Sequence, residues 1–580
     1  MEDKKREMLS EAKSAAGGKD KIKKLLGEKI VNWQEKNPKR HYIEIKKEHL
    51  RDSAAVLFTE LGLRFNIATA LDNIKNMEVL YHFSDDTTGV IFSLRVATDR
   101  DGGEIPTISD IITGAKWIER EIHELFGITF TGNDNLQRLL LDPAWPEGVY
   151  PLRKDYEYGR KEELSEEDEE SLRRPNIKID DEDGDKQCTI IPIGPYHPLQ
   201  EEPEFFELKV RGEKVVSLNI NLGYNHRSIE KISEGKHWDQ VTFLVERICG
   251  ICSCSHPFAY VLAVEDLAGI EIPERAKYIR CVIAELERIH SHLLWLGLAG
   301  HFLGYNTVWM WAWKYRETVL DLCEQISGNR NHYAMMKAGG VRRDILNSEI
   351  DDMKANLKTI VSKIDMFKGA VLDDPVIHAR TKNVGILTKE DAIRYCVTGP
   401  TARASGIRQD IRKIDIANSA YGLVDWDMIV LENGDVFDKA VCRVLEMYES
   451  VKIINQCFDR LKELNEGNIC TEIWDLPAGE GIGRYEAPRG ECWHYVKSDG
   501  GNTPIRHKIR APSYMNILSN EVAAVGGIVS DAAITLAAVD PCYCCTERMQ
   551  AVENGKIKYD WESLIKMSQE KTMKLKAEQK

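Results

Sequence analysis

The chain has 580 residues, 43% of them hydrophobic, and a formal net charge of −15. That length exceeds one ordinary domain, and the acidic balance excludes the basic face that a nucleic-acid binder needs. Met1-Glu2-Asp3-Lys4-Lys5-Arg6 leads into no apolar run of the secretory kind, so the 14 cysteines are expected as reduced thiols.

Residues 1–155 read as a small α+β unit. Leu50 to Leu63 reads as a helix. Met77 to Thr98 reads as two strands joined by a turn at Ser84-Asp85-Asp86-Thr87-Thr88-Gly89. Ile108 to Phe126 reads as an amphipathic helix, with Glu119, Glu121 and Glu124 expected on a solvated or docking face. The stretch Trp117-Ile118-Glu119-Arg120-Glu121-Ile122-His123-Glu124-Leu125-Phe126-Gly127-Ile128, followed by Pro151-Leu152-Arg153-Lys154-Asp155-Tyr156, resembles the signature of the 30-kDa subunit of respiratory complex I. No catalysis is assigned to this unit.

An acidic linker, 156–186, follows. Between Lys161 and Asp185 it has 12 acidic and 4 basic residues and few large apolar side chains, so it cannot bury enough surface to offset ordering. The large domain is expected over 187–548. Thr189–Ile193 and Phe205–Asn219 read as strands, with Arg211-Gly212-Glu213-Lys214 as a turn. After Pro273, the residues Ile279, Val282, Ile283, Leu286, Ile289 and Leu293 keep the spacing of one buried helical face. Thr307 to Ile326 and Phe437 to Leu464 read as helices too, and Gly483 to Asn516 as loops and short strands. Gly479-x-Gly481-x-Gly483 is a weak nucleotide signal without a flanking strand–helix unit. Val522 to Val539 is apolar, but Ser530 and Asp531 interrupt it; a buried element is expected there, not a membrane span.

Chemistry concentrates in two cysteine pairs. One lies in Arg247-Ile248-Cys249-Gly250-Ile251-Cys252-Ser253-Cys254-Ser255-His256, the other in Asp540-Pro541-Cys542-Tyr543-Cys544-Cys545-Thr546-Glu547-Arg548. Each Cys-x-x-Cys lets two thiolates hold one metal. The pairs are 542 − 249 = 293 residues apart, against roughly 15–20 in a small zinc ribbon. A site closed over that distance belongs in a large core, and thiolates favour soft metals, nickel and iron among the candidates.

These motifs resemble the large subunit of nickel–iron hydrogenases, and Arg548, where many such enzymes carry His, resembles the membrane-associated, energy-converting branch. With the fused N-terminal unit the resemblance is to the formate hydrogenlyase or hydrogenase-4 type. It implies an α+β chain: a small α+β domain, then a mainly helical domain with small peripheral sheets, as in the complex I 49-kDa subunit. It also implies a nickel–iron centre with carbon monoxide and cyanide on iron, held by Cys249, Cys252, Cys542 and Cys545. Cys249 and Cys542 are then terminal on nickel, and Cys252 and Cys545 are bridges; Cys254 and Cys544 are packing residues. Arg489, in Tyr485-Glu486-Ala487-Pro488-Arg489-Gly490, is implied above the metals, with Asp540 orienting it. Glu202, in Gly194-Pro195-Tyr196-His197-Pro198-Leu199-Gln200-Glu201-Glu202-Pro203, is implied as the first proton acceptor, although Glu201 and Glu204 are close by. Glu230 matches a position that binds a structural magnesium or iron ion; a surface salt bridge is the bland alternative.

The resemblance further implies hydrogen evolution at the cytoplasmic face of the membrane, with formate oxidation as the coupled reaction. The chain carries no ferredoxin-type cysteine run, so the partners would be an iron–sulfur small subunit, ferredoxin-like electron-transfer subunits, integral membrane subunits and a formate dehydrogenase. A maturation endopeptidase would remove residues 549–580. Two rivals stand beside this reading. One is a fused 30/49-kDa quinone-reducing subunit of a complex I-type NADH dehydrogenase. Against it speak the four cysteines, and Pro198-Leu199-Gln200, which lacks the second His-Gly of that relative's quinone loop. The other is a non-catalytic, zinc-stapled scaffold.

Overall fold

Backbone pairing starts in the N-terminal unit, where β1 (Ile30–Asn37), β2 (Arg40–Ile45), β3 (Arg64–Asp72), β4 (Asn76–Ser84) and β5 (Ile91–Asp99) form one sheet in the order β1-β2-β5-β4-β3. β2 and β5 run parallel and the other neighbours antiparallel. The computed structural model describes residues 18–141, 145–156, 188–195, 197, 200, 202–473 and 475–546. The linker beyond Tyr156, Glu201, Arg548 and the 549–580 tail lie outside the described residues.

The hairpin read at Met77–Thr98 is β4 and β5, paired in register from Asn76↔Asp99 to Ser84↔Ile91. The helix read at Leu50–Leu63 is α1 (Leu50–Ala55), extended by a wider turn over Val56–Glu60. The long helix read at Ile108–Phe126 is shorter: α2 spans Lys116–Phe126, and residues 108–115 make turns. Gly114 explains the late start. A Cβ there would come within 2.9 Å of the Tyr395 carbonyl oxygen, so the chain turns where the two domains touch. β6 (Glu104–Pro106) and β7 (Thr129–Thr131) pair in parallel on either side of α2.

The acidic residues of α2 are not on a solvated face. Glu119, Glu121 and Glu124 are all buried. Glu119 accepts hydrogen bonds from the Ile108 amide (2.8 Å) and Asn133 Nδ2 (2.7 Å). Glu124 takes the Leu139 and Leu140 amides at 2.9 Å each, and burial pushes its carboxyl up to about 7. Glu121 does dock, but within the chain, pairing with Lys508 of the large domain. Each carboxylate is placed where loop amides or a buried cation need a partner.

In the large domain β8 (Thr189–Ile193), β9 (Phe205–Arg211) and β10 (Lys214–Asn221) form a three-stranded sheet ordered β10-β9-β8. Short α3 (Ile229–Glu234) and α4 (Trp238–Glu246) lead to α5 (Ser255–Ala268). The long helices α6 (Glu274–Phe302), α7 (Asn306–Ser327), α8 (Ile350–Asp373) and α9 (Val436–Glu463) carry much of the core, and the expected face Ile279–Leu293 is fully buried on α6. The region read as loops and short strands holds two ten-residue strands instead. β11 (Ala478–Ala487) and β12 (Gly490–Asp499) pair along their whole length, with β13 (Arg506–Arg510) beside β12. Gly481 and Gly483 have a packing role: a Cβ on either would lie 2.1 Å from an α5 carbonyl oxygen. They let a sheet lie flush on a helix.

The N-terminal sheet docks against β12. His82 of β4 packs its ring 5.3 Å from Trp493 and 5.9 Å from Tyr495. Glu491 accepts from Arg64 Nη1 at 2.8 Å and also pairs with Arg510. This layer buries β3 to β5 almost throughout. Further on, α10 (Val529–Ala537) and short α11 (Tyr543–Thr546) bring in the second cysteine pair. No helix among the described residues is long and apolar enough to cross a membrane.

Candidate metal centre

The loop from α4 to α5 carries Cys249 and Cys252; the turn after α10 and the first residues of α11 carry Cys542 and Cys545. Their four sulfurs lie within 4.8 Å of one another. Cys542 Sγ is 3.3 Å from Cys249 Sγ and 2.8 Å from Cys545 Sγ. Three are buried and Cys545 is half-buried. Hydrogen bonds from Cys252 and Cys542 hold the Cys249 thiol well below its ordinary pKa, while the Cys249 sulfur pushes Cys252 and Cys542 up. Four thiolates this close repel one another unless a cation sits among them. The donor set therefore fits a soft divalent metal.

Arg489 sits at the two-residue turn between β11 and β12, whose last pair is Ala487↔Gly490. Its guanidinium is 1% exposed. Nη1 reaches Cys252 Sγ at 3.4 Å and Ser291 Oγ at 3.3 Å. Nη2 pairs with Asp540 Oδ1 at 2.8 Å, and Nε donates to the Asp540 carbonyl at 2.9 Å. Gly490 has φ +129, and a Cβ there would meet Thr398 Oγ1 at 2.4 Å, so the turn can form only with glycine. Asp540 itself has φ +56, a left-handed backbone that is costly outside glycine. The strain turns both its side chain and its carbonyl onto Arg489.

Glu202 lies at the second pair: its Oε2 accepts the Cys544 amide at 2.6 Å. Burial, then the negative charge of Cys249, raises its carboxyl. Cys544 Sγ is 3.6 Å from Cys542 Sγ, in contact with the cluster, whereas Cys254 is packed among core side chains. Glu204 is fully buried, and its amide donates to the Pro195 carbonyl. Glu230 stands apart from this group and corrects the surface salt bridge read for it. It is fully buried, so it makes no surface salt bridge. Its oxygens pair with Arg506 at 2.8 Å and Lys508 at 3.0 Å.

Comparison with known proteins bears on this geometry. The family described as "Respiratory-chain NADH dehydrogenase, 49 Kd subunit" matches residues 303–472 and 464–548, the corresponding "30 Kd subunit" family matches 43–162, and "Nickel-dependent hydrogenase" matches 227–305. Membrane-bound hydrogenase subunit alpha of Pyrococcus furiosus is 41% identical over 66% of this chain and 93% of its own. Formate hydrogenlyase subunit 5 of Escherichia coli is 32% identical over 91% and 92%. The chain belongs to the hydrogenase large-subunit family. It is an oxidoreductase of the nickel-dependent class, fused to a complex I 30-kDa-like domain. An NADH-quinone oxidoreductase subunit of Aquifex aeolicus is also similar, at 32% over 77% of this chain and 84% of its own. The solved structure of an archaeal membrane-bound sulfane sulfur reductase superposes with a TM-score of 0.60 at 30% identity, covering 63% of this chain and 99% of that one.

The hydrogenase chain also holds residues that sequence reasoning missed. On α6, between the apolar positions, Arg280, Glu285, Glu287, Arg288, His290, Ser291 and His292 are all fully buried. Arg288 and Arg412 pair with Glu285 at 3.1 and 3.2 Å; Arg403 joins Glu446 and Glu486, both at 2.7 Å. Burial pushes the Glu486 carboxyl up to about 7 and that of Glu287 up to about 8. The signal was available: a helix whose charged residues are interleaved with its apolar stripe has charges inside.

Proposed function

We propose that this chain is the catalytic subunit of a membrane-associated hydrogenase that interconverts hydrogen with protons and electrons at a nickel–iron centre held by Cys249, Cys252, Cys542 and Cys545. The single observation that carries the reading is the meeting of four cysteine sulfurs, from segments 293 residues apart, beneath the Arg489 guanidinium. When bound, such a centre, with carbon monoxide and cyanide on iron, supplies heterolytic cleavage or formation of hydrogen. The chain's own residues do the rest. Arg489 fixes a permanent cation over the thiolates, and its planar fork is held by Asp540. Glu202, with its raised carboxyl at the second cysteine pair, receives a proton from the thiolate side and passes it outward.

The names of the relatives support a subunit of a membrane-bound assembly; we propose integral membrane partners that hold it peripherally, with iron–sulfur small and ferredoxin-like subunits carrying electrons. We read the direction as hydrogen evolution at the cytoplasmic face, coupled to formate oxidation. We read 1–155 as the docking domain, 156–186 as the linker, 187–548 as the catalytic domain and 549–580 as a segment removed on maturation. Metal analysis of the purified assembly is the test. Nickel and iron together with infrared bands of carbon monoxide and cyanide are expected. Zinc would favour a stapled scaffold, and a metal-free chain would favour the quinone-reducing relative.

A further inference from the structure

A line of imidazoles starts at His256, four residues beyond Cys252 and within electrostatic reach of Cys249. His256, in the first turn of α5, places Nδ1 3.1 Å from His494 Nε2 on β12. His494 Nδ1 is 2.9 Å from His507 Nε2 on β13. His507 Nδ1 is 3.0 Å from Ser233 Oγ on α3. All four residues are 0–1% exposed. Four separate elements, met in the order α5, β12, β13 and α3, thus contribute one polar group each to a single file. Ser233 lies just inside the exposed stretch Gly235–His237.

The hydrogens in this file can be placed. Ser233 Oγ is 2.8 Å from the Glu230 carbonyl and must donate its one proton there. It therefore accepts from His507, which makes His507 the Nδ1–H tautomer. His507 Nε2 then accepts from His494 Nδ1–H, and His494 Nε2 accepts from His256 Nδ1–H. Cys492 Sγ, 3.3 Å from the same His256 nitrogen, shares that proton. Burial favours the neutral forms of His256 and His494, pushing His256 down to about 4 and His494 well below the ordinary value. Three rings of one tautomer, all donating the same way, leave Nε2 of His256 as the basic nitrogen at the inner end.

We propose that His256, His494, His507 and Ser233 form a second proton conduit, running from the cysteine cluster to the surface at Gly235–His237 and separate from Glu202; each hydrogen turnover moves two protons, one by each route, so loss of either route slows the whole. The proposal rests on the hydrogenase reading above. In one passage a proton binds Nε2 of His256, and the Nδ1–H protons of His256, His494 and His507 each cross one hydrogen bond. Ser233 takes the last of them and releases its own hydroxyl proton to solvent water. Only N–H and O–H bonds form and break, and no electron moves. Each ring ends as the Nε2–H tautomer, an order that suits inward transfer; turning of the rings restores the first order. The backbone carbonyl of Glu230 cannot bind a proton, so the hydroxyl of Ser233 must swing away from it, which makes Ser233 the gate.

The test uses the assembled, metal-loaded enzyme. His507→Gln keeps a donor toward Ser233 and an acceptor toward His494 but cannot exchange one for the other. Expected is wild-type nickel content with hydrogen turnover lowered on the order of tenfold or more, and an altered solvent isotope effect. Ser233→Ala should slow turnover likewise, and Ser233→Thr, which returns the hydroxyl, should restore it. If His507→Gln fails to assemble, the Ser233 pair decides alone. Nickel-loaded His507→Gln or Ser233→Ala enzyme with wild-type rate and isotope effect would overturn the conduit and leave the hydrogenase reading standing. A wild-type assembly without nickel would overturn that reading, and the conduit with it.

Discussion

Arg489 links the first cysteine pair to the segment before the second: it touches Cys252, Ser291 and both the side chain and the carbonyl of Asp540. Lysine is just as cationic but has no planar fork, so Arg489→Lys should keep its metals and lose about 10²–10³-fold in turnover, the range for removing one fixed donor. A variant of near-normal rate would reduce the residue to a structural ion pair. Cys→Ser at Cys249, Cys252, Cys542 or Cys545 should abolish nickel retention, while Cys254→Ser should leave nickel bound; metal content of the purified variants measures both. Glu202→Gln should keep the metals and slow proton-coupled turnover by about 10²-fold, and full activity there would pass the role to Glu204 or Glu201. At this scale much was legible. Metal-binding cysteines need spacing, and spacing is written in the chain. That α6 carries buried charges was signalled, but their partners were not: Arg412 and Glu446 lie on other elements, and so do the members of the file from His256 to Ser233.

Between elements, one carboxylate ties the two domains together. Glu491, fully buried on β12, accepts from Arg64 and Asn66 of β3 and pairs with Arg510 of β13. Burial alone would raise its carboxyl, but Arg64 and Arg510 outweigh burial and hold it far below the ordinary value. A carboxyl whose folded pKa is depressed adds stability above its unfolded pKa, about 4.3, and loses it as pH falls toward the folded value. Unfolding midpoints should therefore drop as pH is lowered from about 5, and less steeply in Glu491→Gln. That variant strands buried cations and should cost about 3–5 kcal/mol at neutral pH. An unchanged midpoint at pH 7 would show that ring packing on Trp493 holds the domains without the ion pairs. Strand and helix positions were largely readable here: the β4–β5 hairpin, the β9–β10 turn and the apolar face of α6 follow period-two and helical patterns. The docking of one sheet on another was not, because buried Glu119, Glu121 and Glu124 look the same in sequence as a solvated helix face.

For the molecule as a whole, the second cysteine pair arrives last in the chain and closes the site. Cys542 is 3% exposed, but Cys545 is only half-buried, and the described chain ends at Thr546, one residue later. Residues 549–580 carry Lys556, Lys558, Lys566, Lys571, Lys574, Lys576 and Lys580 against Glu553, Asp560, Glu562, Glu570 and Glu578, and so many charges resist burial in the core. We propose that such a segment opposes closure of the pair over the first two cysteines until the metals are in place, and is then released. The mature chain should then lack 32 residues. At 66.0 kDa for 580 residues the loss is 66.0 × 32/580, or about 3.6 kDa. Intact mass of active, nickel-loaded enzyme reads this directly. Cys545→Ser should accumulate as the long form, because without the fourth ligand the site cannot close. A fully active enzyme that still ends at Lys580 would make the segment a permanent part of the fold, and closure of the cysteine pair would have to proceed with it attached.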